Sequence, residues 1–358
     1  MTIHFRAEDW ARIKKDYTAW WRGELSRPLL YISGVAEGGN ASDLPAFPAF
    51  LTNFPLDVTP VEVVHKFVET LARQRYVADT FPYFLINFGP GVLSAFLGAK
   101  LLTRPDTVWF KPADGVSLSN LRIEFDESAY WWQRVKSITE TSVEMIGHIV
   151  QITFTDMGGN LDILAGLVGT EPLLRGLLDH PNDVHRALER ITEVWLECYD
   201  ELYAIIRRRC PGTQAWAPTW APASTYMLQS DFSFMISPDM FKEFVLPDLE
   251  SCCDHVEYSF YHLDGVGEIP HLEHLLSLDK LRGIQWIPGA AKPIASEWPD
   301  LLRRIRDGGK LAQIYTDCSG VRKICREIGG KGFLFVVGDA MPLEEAEAFV
   351  EEIHQLSG

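Results

Sequence analysis

The sequence has little positive charge. Its 33 Lys and Arg residues are outnumbered by 49 Asp and Glu residues, which gives a formal net charge of −16 at pH 7. The longest run of basic residues is the short one at positions 207–209. A surface of this kind repels a phosphate backbone. We therefore expect a small-molecule substrate and no nucleic-acid partner.

Long apolar runs are also missing. No uninterrupted apolar stretch approaches the roughly 18–20 residues that a helix needs to cross a bilayer. Residues 1–17 carry charge from the start, whereas a signal peptide has an apolar centre. We expect no membrane partner and a cytoplasmic location.

Cysteines are few and irregularly spaced. None of the six forms a CxxC pair, and their spacing gives no disulfide framework. A reducing compartment fits this usage, with most thiols serving as small core residues. The six are Cys198, Cys210, Cys252, Cys253, Cys318 and Cys325.

Glycine-rich nucleotide motifs are absent as well. No GxGxxG or GxxxxGK(S/T) follows any predicted strand, so the usual evidence for a dinucleotide-binding or P-loop fold is missing.

The most informative stretch that is present is YSFYHLDG, residues 258–265. An apolar run ends there in His262, Asp264 and a glycine. This pattern is typical of the carboxyl end of a buried parallel strand, with chemistry placed just beyond it.

Eight such strands alternate with helical stretches along the chain. This alternation favours an α/β fold of the (β/α)₈ TIM-barrel type, formed by one domain over residues 1–358. We also predict an N-terminal helix at 7–23, a lid at 37–60 and a hairpin-like insertion at 106–125. The strands are predicted near residues 29–33, 81–87, 148–155, 214–218, 258–265, 282–289, 310–317 and 332–339.

Several other chemistry-bearing residues follow predicted strands. Asp156, Asp231 and Asp317 are candidate catalytic residues, and turn or capping roles are the alternative. Asn87 precedes two glycines that would let the backbone approach a ligand. Trp220 and Tyr226 lie in the aromatic run after the fourth predicted strand, and we predict that this run touches a ligand or a partner. Trp286 and Tyr315 are predicted to shape a pocket wall, with core packing as the alternative.

Four features together resemble the uroporphyrinogen decarboxylase superfamily. They are RGELSRPLLYIS near the start, ISPDMFKEFVLPDLE at 236–250, HLDG after the fifth strand, and the spacing of the last three strands. The superfamily includes the decarboxylase and cobamide-dependent methyltransferases, which move methyl groups between corrinoid proteins and small substrates. The resemblance implies a TIM barrel whose site lies at the carboxyl ends of the strands.

The chain departs from the decarboxylase after the first strand. The decarboxylase carries Arg-Gln-Ala-Gly-Arg there, whose arginines hold the carboxylates of a porphyrinogen. This chain has Ile32, Ser33, Gly34 and Val35 instead. Without those cations, we do not expect a protein of net charge −16 to decarboxylate so anionic a substrate.

The chain departs from the methyltransferases at their zinc ligands. These relatives have His-x-Cys after the fifth strand and a later Cys after the eighth, whereas this chain has His262-Leu263-Asp264 and Asp339. The resemblance then implies a zinc set of His262, Asp264 and Asp339. Such harder donors would suit a substrate oxygen or nitrogen better than a thiol. Cys318 is the one thiol beside a predicted strand end, which makes it a candidate substitute ligand.

Three functions remain open from the sequence. The leading one is methyl transfer involving a small substrate, with a corrinoid (cobalamin) carried by a partner protein. The second is a metal-independent decarboxylase or lyase in which Asp231 or His262 handles protons. The third is a barrel that binds a small molecule or a corrinoid without turnover.

Overall fold

The computed structural model describes residues 3–35, 47–71, 74–339 and 341–357, and these form an α/β barrel. Its strands are β1 (Leu29–Ile32), β2 (Tyr83–Phe84), β3 (Lys100–Thr103), β4 (Val108–Lys111), β5 (Gln151–Ile152), β6 (Thr213–Gln214), β7 (Trp220–Ala221), β8 (Thr225–Gln229), β9 (Tyr258–Asp264), β10 (Leu281–Ile287), β11 (Leu311–Thr316) and β12 (Phe333–Val337).

The helices run between these strands. They are α1 (Ala7–Trp21), α2 (Pro60–Leu71), α3 (Leu93–Phe96), α4 (Tyr130–Ile146), α5 (Asn160–Val168), α6 (Thr170–Asp179), α7 (Pro181–Ile206), α8 (Pro238–Phe244), α9 (Leu246–His255), α10 (Leu272–Leu276), α11 (Pro299–Asp307), α12 (Cys318–Glu327) and α13 (Leu343–Ser357). No helix within the described part of the chain is long and apolar enough to span a membrane.

The barrel wall is built from parallel strands. Six of them form one sheet in the order β1-β12-β11-β10-β9-β8, and β2 pairs with β5 in parallel. The wall continues from β1 toward β2, because the amide of Ile32 donates to Thr80 Oγ1 at 2.8 Å. This confirms the TIM-barrel prediction.

The fourth barrel strand lies later in the chain than predicted. We expected it at 214–218, but β6 turns back at once into β7, and β8 inside the predicted loop pairs with β9. Pro218 explains the difference, since proline has no N–H to donate to a strand ladder. The β6–β7 hairpin lies between β5 and β8, where Gln214 O accepts from the amide of Phe154 at 2.9 Å.

The predicted hairpin insertion and the predicted lid lie, in the sequence, between the first three strands of the barrel. The hairpin insertion is β3 and β4, earlier than the predicted 106–125, because its turn forms at Pro105-Asp106 and the amide of Arg104 donates to Thr107 O. The predicted lid at 37–60 is described from residue 47 onward, where Leu51–Asn53 form a 3₁₀ turn and α2 begins at Pro60. Its residues 37–46 lie outside the described residues.

Helix α1 closes the amino end of the barrel. Its buried face carries aromatic residues that pack beneath the strands. Trp20 stacks on Phe260 of β9 with ring centroids 5.9 Å apart, and Trp21 Nε1 donates to Trp220 O at 2.9 Å. The barrel is therefore filled at this end, and its opposite end is left for the site.

A buried ion pair joins α1 to the first two strands. The guanidinium of Arg27 donates to both carboxylate oxygens of the fully buried Asp79, at 2.7 and 2.9 Å, and to Asp16 of α1 at 2.9 Å. Asp79 also accepts from the amide of Leu30 at 2.9 Å. All of these donors converge on one carboxylate that water cannot reach.

We predict that Asp79→Ala destabilises the protein by about 3–5 kcal/mol, because it leaves Arg27 half-buried without its main partner. The free energy of unfolding in urea measures this loss. Asp300→Ala is the control, since it removes one partner of an exposed ion pair with Arg303 and should cost less than about 1 kcal/mol. Equal losses in the two variants would contradict this account.

Candidate active site

Four strands align polar residues at one level of the barrel. Gln229 of β8 pairs with His262 of β9, His262 with Gln285 of β10, and Gln285 with Gln313 of β11. Cα partners in parallel strands point to the same face of a sheet. The four side chains therefore form one polar row, which we call the glutamine row.

Two carboxylates lie one step closer to the carboxyl ends. Asp264 ends β9 two residues after His262, and Asp231 lies two residues after Gln229 at the start of a short 3₁₀ turn. Asp231, His262 and Asp264 each offer one ligand atom, and these three atoms lie within 4.8 Å of one another. We call these residues the His-Asp-Asp cluster.

Asp162 fixes the backbone that carries Asp231. This residue lies in the first turn of α5, and its carboxylate accepts from the amides of Asp231 at 3.0 Å and Phe232 at 2.7 Å. Burial and then the nearby Asp231 carboxylate raise the pKa of Asp162 well above its usual value.

Two further acidic residues surround the cluster. Burial, and after it Asp231, raises the pKa of Asp156 to about 8, although Gly158 N donates to its Oδ1 at 3.0 Å and Gln229 also bonds it. Gly158 has a φ of +90°, and a Cβ there would lie 2.6 Å from Gly91 Cα, so only glycine suits this turn.

Glu268 is the second. Burial, then Asp231, Asp162 and Asp264, hold its pKa well above the usual range. Tyr261 Oη donates to its Oε2 at 3.3 Å, and its Oε1 has no hydrogen-bond partner among the described residues.

The pKa of Asp231 itself is also raised. Burial is the main cause, His262 acts against it, and Asp264 adds to it. Asp231 is nevertheless an exposed residue by surface area, so burial acts on it less than on Asp156.

The structure brings four predicted site residues together: Asp156, Asp231, His262 and Asp264. The cluster differs from the predicted ligand set in one member, because Asp231 and not Asp339 lies with His262 and Asp264. Asp339 Oδ2 accepts from the amide of Cys318 at 2.9 Å. Burial and that carboxylate raise the pKa of the Cys318 thiol to about 12, which disfavours the thiolate that a metal needs.

Asp317 is a helix cap and lies outside the cluster. Its Oδ1 accepts from the amide of Gly320 at 2.7 Å and from Ser319 Oγ at 2.9 Å, at the start of α12. This was the alternative left open by the sequence, and here the capping role is the correct one.

Three of the predicted substrate-binding aromatics are core residues. Trp220 packs on Tyr17 of α1, Tyr226 bridges Thr155 O and the amide of Met157 through its hydroxyl, and Trp286 packs on Trp298. Each is at most 1% exposed. Trp286 alternates with the inward-facing Gln285 and so points out of the barrel.

Asn87 and Tyr315 remain near open space. Asn87 borders a cavity of about 280 Å³ at the carboxyl ends of β1 and β2, which is lined largely by aromatic and aliphatic side chains, among them Tyr31 and Tyr83. Tyr315 is 41% exposed and is level with Tyr31 in the strand register. In strand order this cavity lies across the barrel from β9.

Sequence reasoning missed Asp162, Glu268, Gln285 and Gln313. A signal for the two glutamines was present, because each stands alone among apolar residues in RGIQWI and KLAQIY. A lone amide in the centre of a buried strand requires a polar partner inside the barrel. Asp162 and Glu268 lie within helical turns, where no strand end marks them.

The arrangement fits a divalent cation. One imidazole nitrogen and two carboxylate oxygens form a donor set that suits zinc and other divalent transition metals. Mutual repulsion and burial raise the pKa of the surrounding carboxyls, and a cation would offset that repulsion.

The comparisons with known proteins show the fold. No family model matches the chain, and no curated protein matches it. A methyltransferase from Methanosarcina mazei is similar in structure over 97% of this chain and 99% of its own, with a TM-score of 0.62 and 14% identity. A B12-independent methionine synthase from Shewanella sp. W3-18-1 is similar over 92% of this chain and 96% of its own, with a TM-score of 0.45 and 12% identity.

The raised pKa of Asp156 makes the stability of the protein depend on pH. The folded pKa of about 8 exceeds the unfolded value of about 3.9, so the folded state binds the proton more tightly. This contribution is fully present below about pH 4 and is lost as pH rises toward about 8. The free energy of unfolding of chelator-treated protein should therefore fall between pH 5.5 and 8.0, and it should fall less in Asp156→Asn.

The comparison of the two proteins isolates Asp156. Burial also raises the pKa of Asp248, to about 7, and the pKa values of Asp162 and Glu268, but these three groups are present in both proteins. Urea unfolding at the two pH values gives the difference. An identical pH dependence in wild type and Asp156→Asn would contradict a raised pKa at Asp156.

Proposed function

We propose that this protein is a metal-dependent methyltransferase acting on a small substrate through an oxygen or nitrogen atom. In this proposal a corrinoid carried by a partner protein exchanges the methyl group with that substrate. The observation that carries the proposal is the His-Asp-Asp cluster, whose three ligand atoms lie within 4.8 Å of one another. The fold shared with a solved methyltransferase supports the reaction class.

Zinc is the metal we propose for this cluster, held by Asp231, His262 and Asp264. When bound there, it would lower the pKa of a hydroxyl or amine that contacts it and so favour the nucleophilic form. The absence of thiolate donors from the cluster leaves such a metal more Lewis-acidic, which suits oxygen and nitrogen better than sulfur.

Other residues would handle protons and position the substrate. Asp156 has a pKa near neutral, so it can give or accept a proton beside Asp231 at the working pH. The cavity at β1 and β2 offers an apolar wall with Tyr31, Tyr83 and Asn87, and we assign the apolar part of the substrate to it.

A second candidate function rests on the same raised pKa. A carboxyl group that remains protonated near pH 7 can act as a general acid in a decarboxylase or lyase without any metal. In that case Asp156 or Asp231 would transfer the proton, and removal of metal would leave the activity unchanged.

We predict that the chelator-treated protein binds one zinc ion per chain and that His262→Ala lowers the affinity more than about 100-fold. Loss of a ligand costs more than loss of a group that only orients one, which is typically worth about 10–100-fold. Isothermal titration with zinc measures the affinity, and elemental analysis of the purified protein gives the content.

Asp317→Asn is the matched control, because it changes a capping carboxylate at the same end of the barrel and should retain zinc. Absorbance titration with methylcobalamin, with and without zinc, tests whether the corrinoid interacts with the metal-loaded protein. Failure of wild type to bind zinc, or equal binding by His262→Ala, would contradict the metal site.

A further inference from the structure

The glutamine row continues as a chain of hydrogen bonds that starts in the β6–β7 hairpin. Gln313 Nε2 donates to Thr219 Oγ1 at 2.9 Å and to the backbone oxygen of Pro218 at 3.5 Å. Gln285 Nε2 donates to Gln313 Oε1 at 2.6 Å. The last bond joins Gln285 Oε1 to His262 Nδ1.

The direction of every bond in this chain follows from its first acceptor. A backbone carbonyl oxygen can only accept, so the Gln313 atom that faces Pro218 is the amide nitrogen. The Gln313 oxygen therefore faces Gln285, which must present its own amide nitrogen. The Gln285 oxygen then faces His262 Nδ1, and this nitrogen must carry a proton.

Burial makes a reversed amide in either glutamine costly. Gln285 and Gln313 are completely buried, so water cannot provide a hydrogen bond where two oxygens or two amide groups would face each other. The imidazole is also held from one side. The indole of Trp216 packs edge-on against it with ring centroids 5.0 Å apart, and Trp216 Nε1 donates to Met227 O at 3.2 Å.

We propose that Gln285 and Gln313 are positioning residues that hold neutral His262 in its Nδ1–H form. Because Nδ1 is engaged by Gln285, Nε2 carries the lone pair and is the nitrogen that binds a cation or accepts a proton beside Asp231 and Asp264. The backbone oxygen of Pro218 sets this form through two side-chain amides. Only the use of Nε2 rests on the proposed function; the form of the imidazole does not.

Nitrogen NMR of the chelator-treated protein tests the proposal. With histidine labelled at both ring ¹⁵N atoms, the spectrum at about pH 8.5 reports neutral imidazoles, and the signals absent from His262→Ala belong to His262. We expect a protonated Nδ1 and an unprotonated Nε2. A protonated Nε2 at His262 in the wild type would overturn the proposal.

Variants test whether the hydrogen bonds from Pro218 through Gln313 and Gln285 to His262, which we call the relay, set the form of the imidazole. Gln285→Leu and Gln313→Leu should give a mixture of both neutral forms at His262, because each removes the amide that orders the bond to Nδ1. Gln151→Leu is the matched control, since it removes a buried strand glutamine that donates to Ile152 O and takes no part in the hydrogen bonds to His262. An unchanged form in both leucine variants would overturn the relay.

Zinc affinity separates this inference from the proposed function. Gln285→Leu should weaken zinc binding about 10–100-fold, as expected for a group that orients a ligand, while Gln151→Leu should not. A wild type with protonated Nδ1 but no zinc affinity supports the relay and contradicts the metal site. Equal weakening by both variants would mean that loss of packing, not orientation, controls affinity, and would overturn the positioning role.

Discussion

The register between four parallel strands is the constraint on which the site depends. It sets Gln229, His262, Gln285 and Gln313 at one level inside the barrel. A shift of one residue in any pair would turn an amide or the imidazole out of the barrel and an apolar side chain in. Helix α1, whose aromatic face fills the amino end of the barrel, packs against β9 through Trp20 and Phe260. The register of the four strands sets which side chains meet at the opposite end.

The same geometry concentrates negative charge. Asp156, Asp162 and Glu268 lie around the His-Asp-Asp cluster, and their pKa values are all raised by burial and by their neighbours. Carboxyl groups in this situation are stabilised either by protonation or by a cation. Both responses are useful to an enzyme, because one supplies a general acid near neutral pH and the other a Lewis acid. Functional sites often contain such unfavourable arrangements, which persist because the surrounding structure holds them in place.

The sequence predicted the barrel and the centre of the site for physical reasons. Strand ends in a parallel barrel meet at one edge, and residues two apart on a strand point to the same face. His262 and Asp264 could therefore be placed together from the two-residue period of a strand. The rule about strand ends misassigns Asp317, because a carboxylate after a strand also suits a helix cap, and only the three-dimensional structure distinguishes the two roles. The sequence misplaces Trp220 and Tyr226, because their segment has the composition of a loop whereas in the structure it forms β7 and β8. Gln285 was missed because its role depends on a partner strand that the sequence does not identify.

In the metal site that we propose, one imidazole and two carboxylates bind zinc without any sulfur donor. X-ray absorption spectroscopy of the zinc-loaded protein measures these donors. We expect nitrogen and oxygen ligands at about 2.0–2.2 Å, with the multiple-scattering pattern of one imidazole. A sulfur ligand at about 2.3 Å, or a spectrum without any imidazole, would rule out this site.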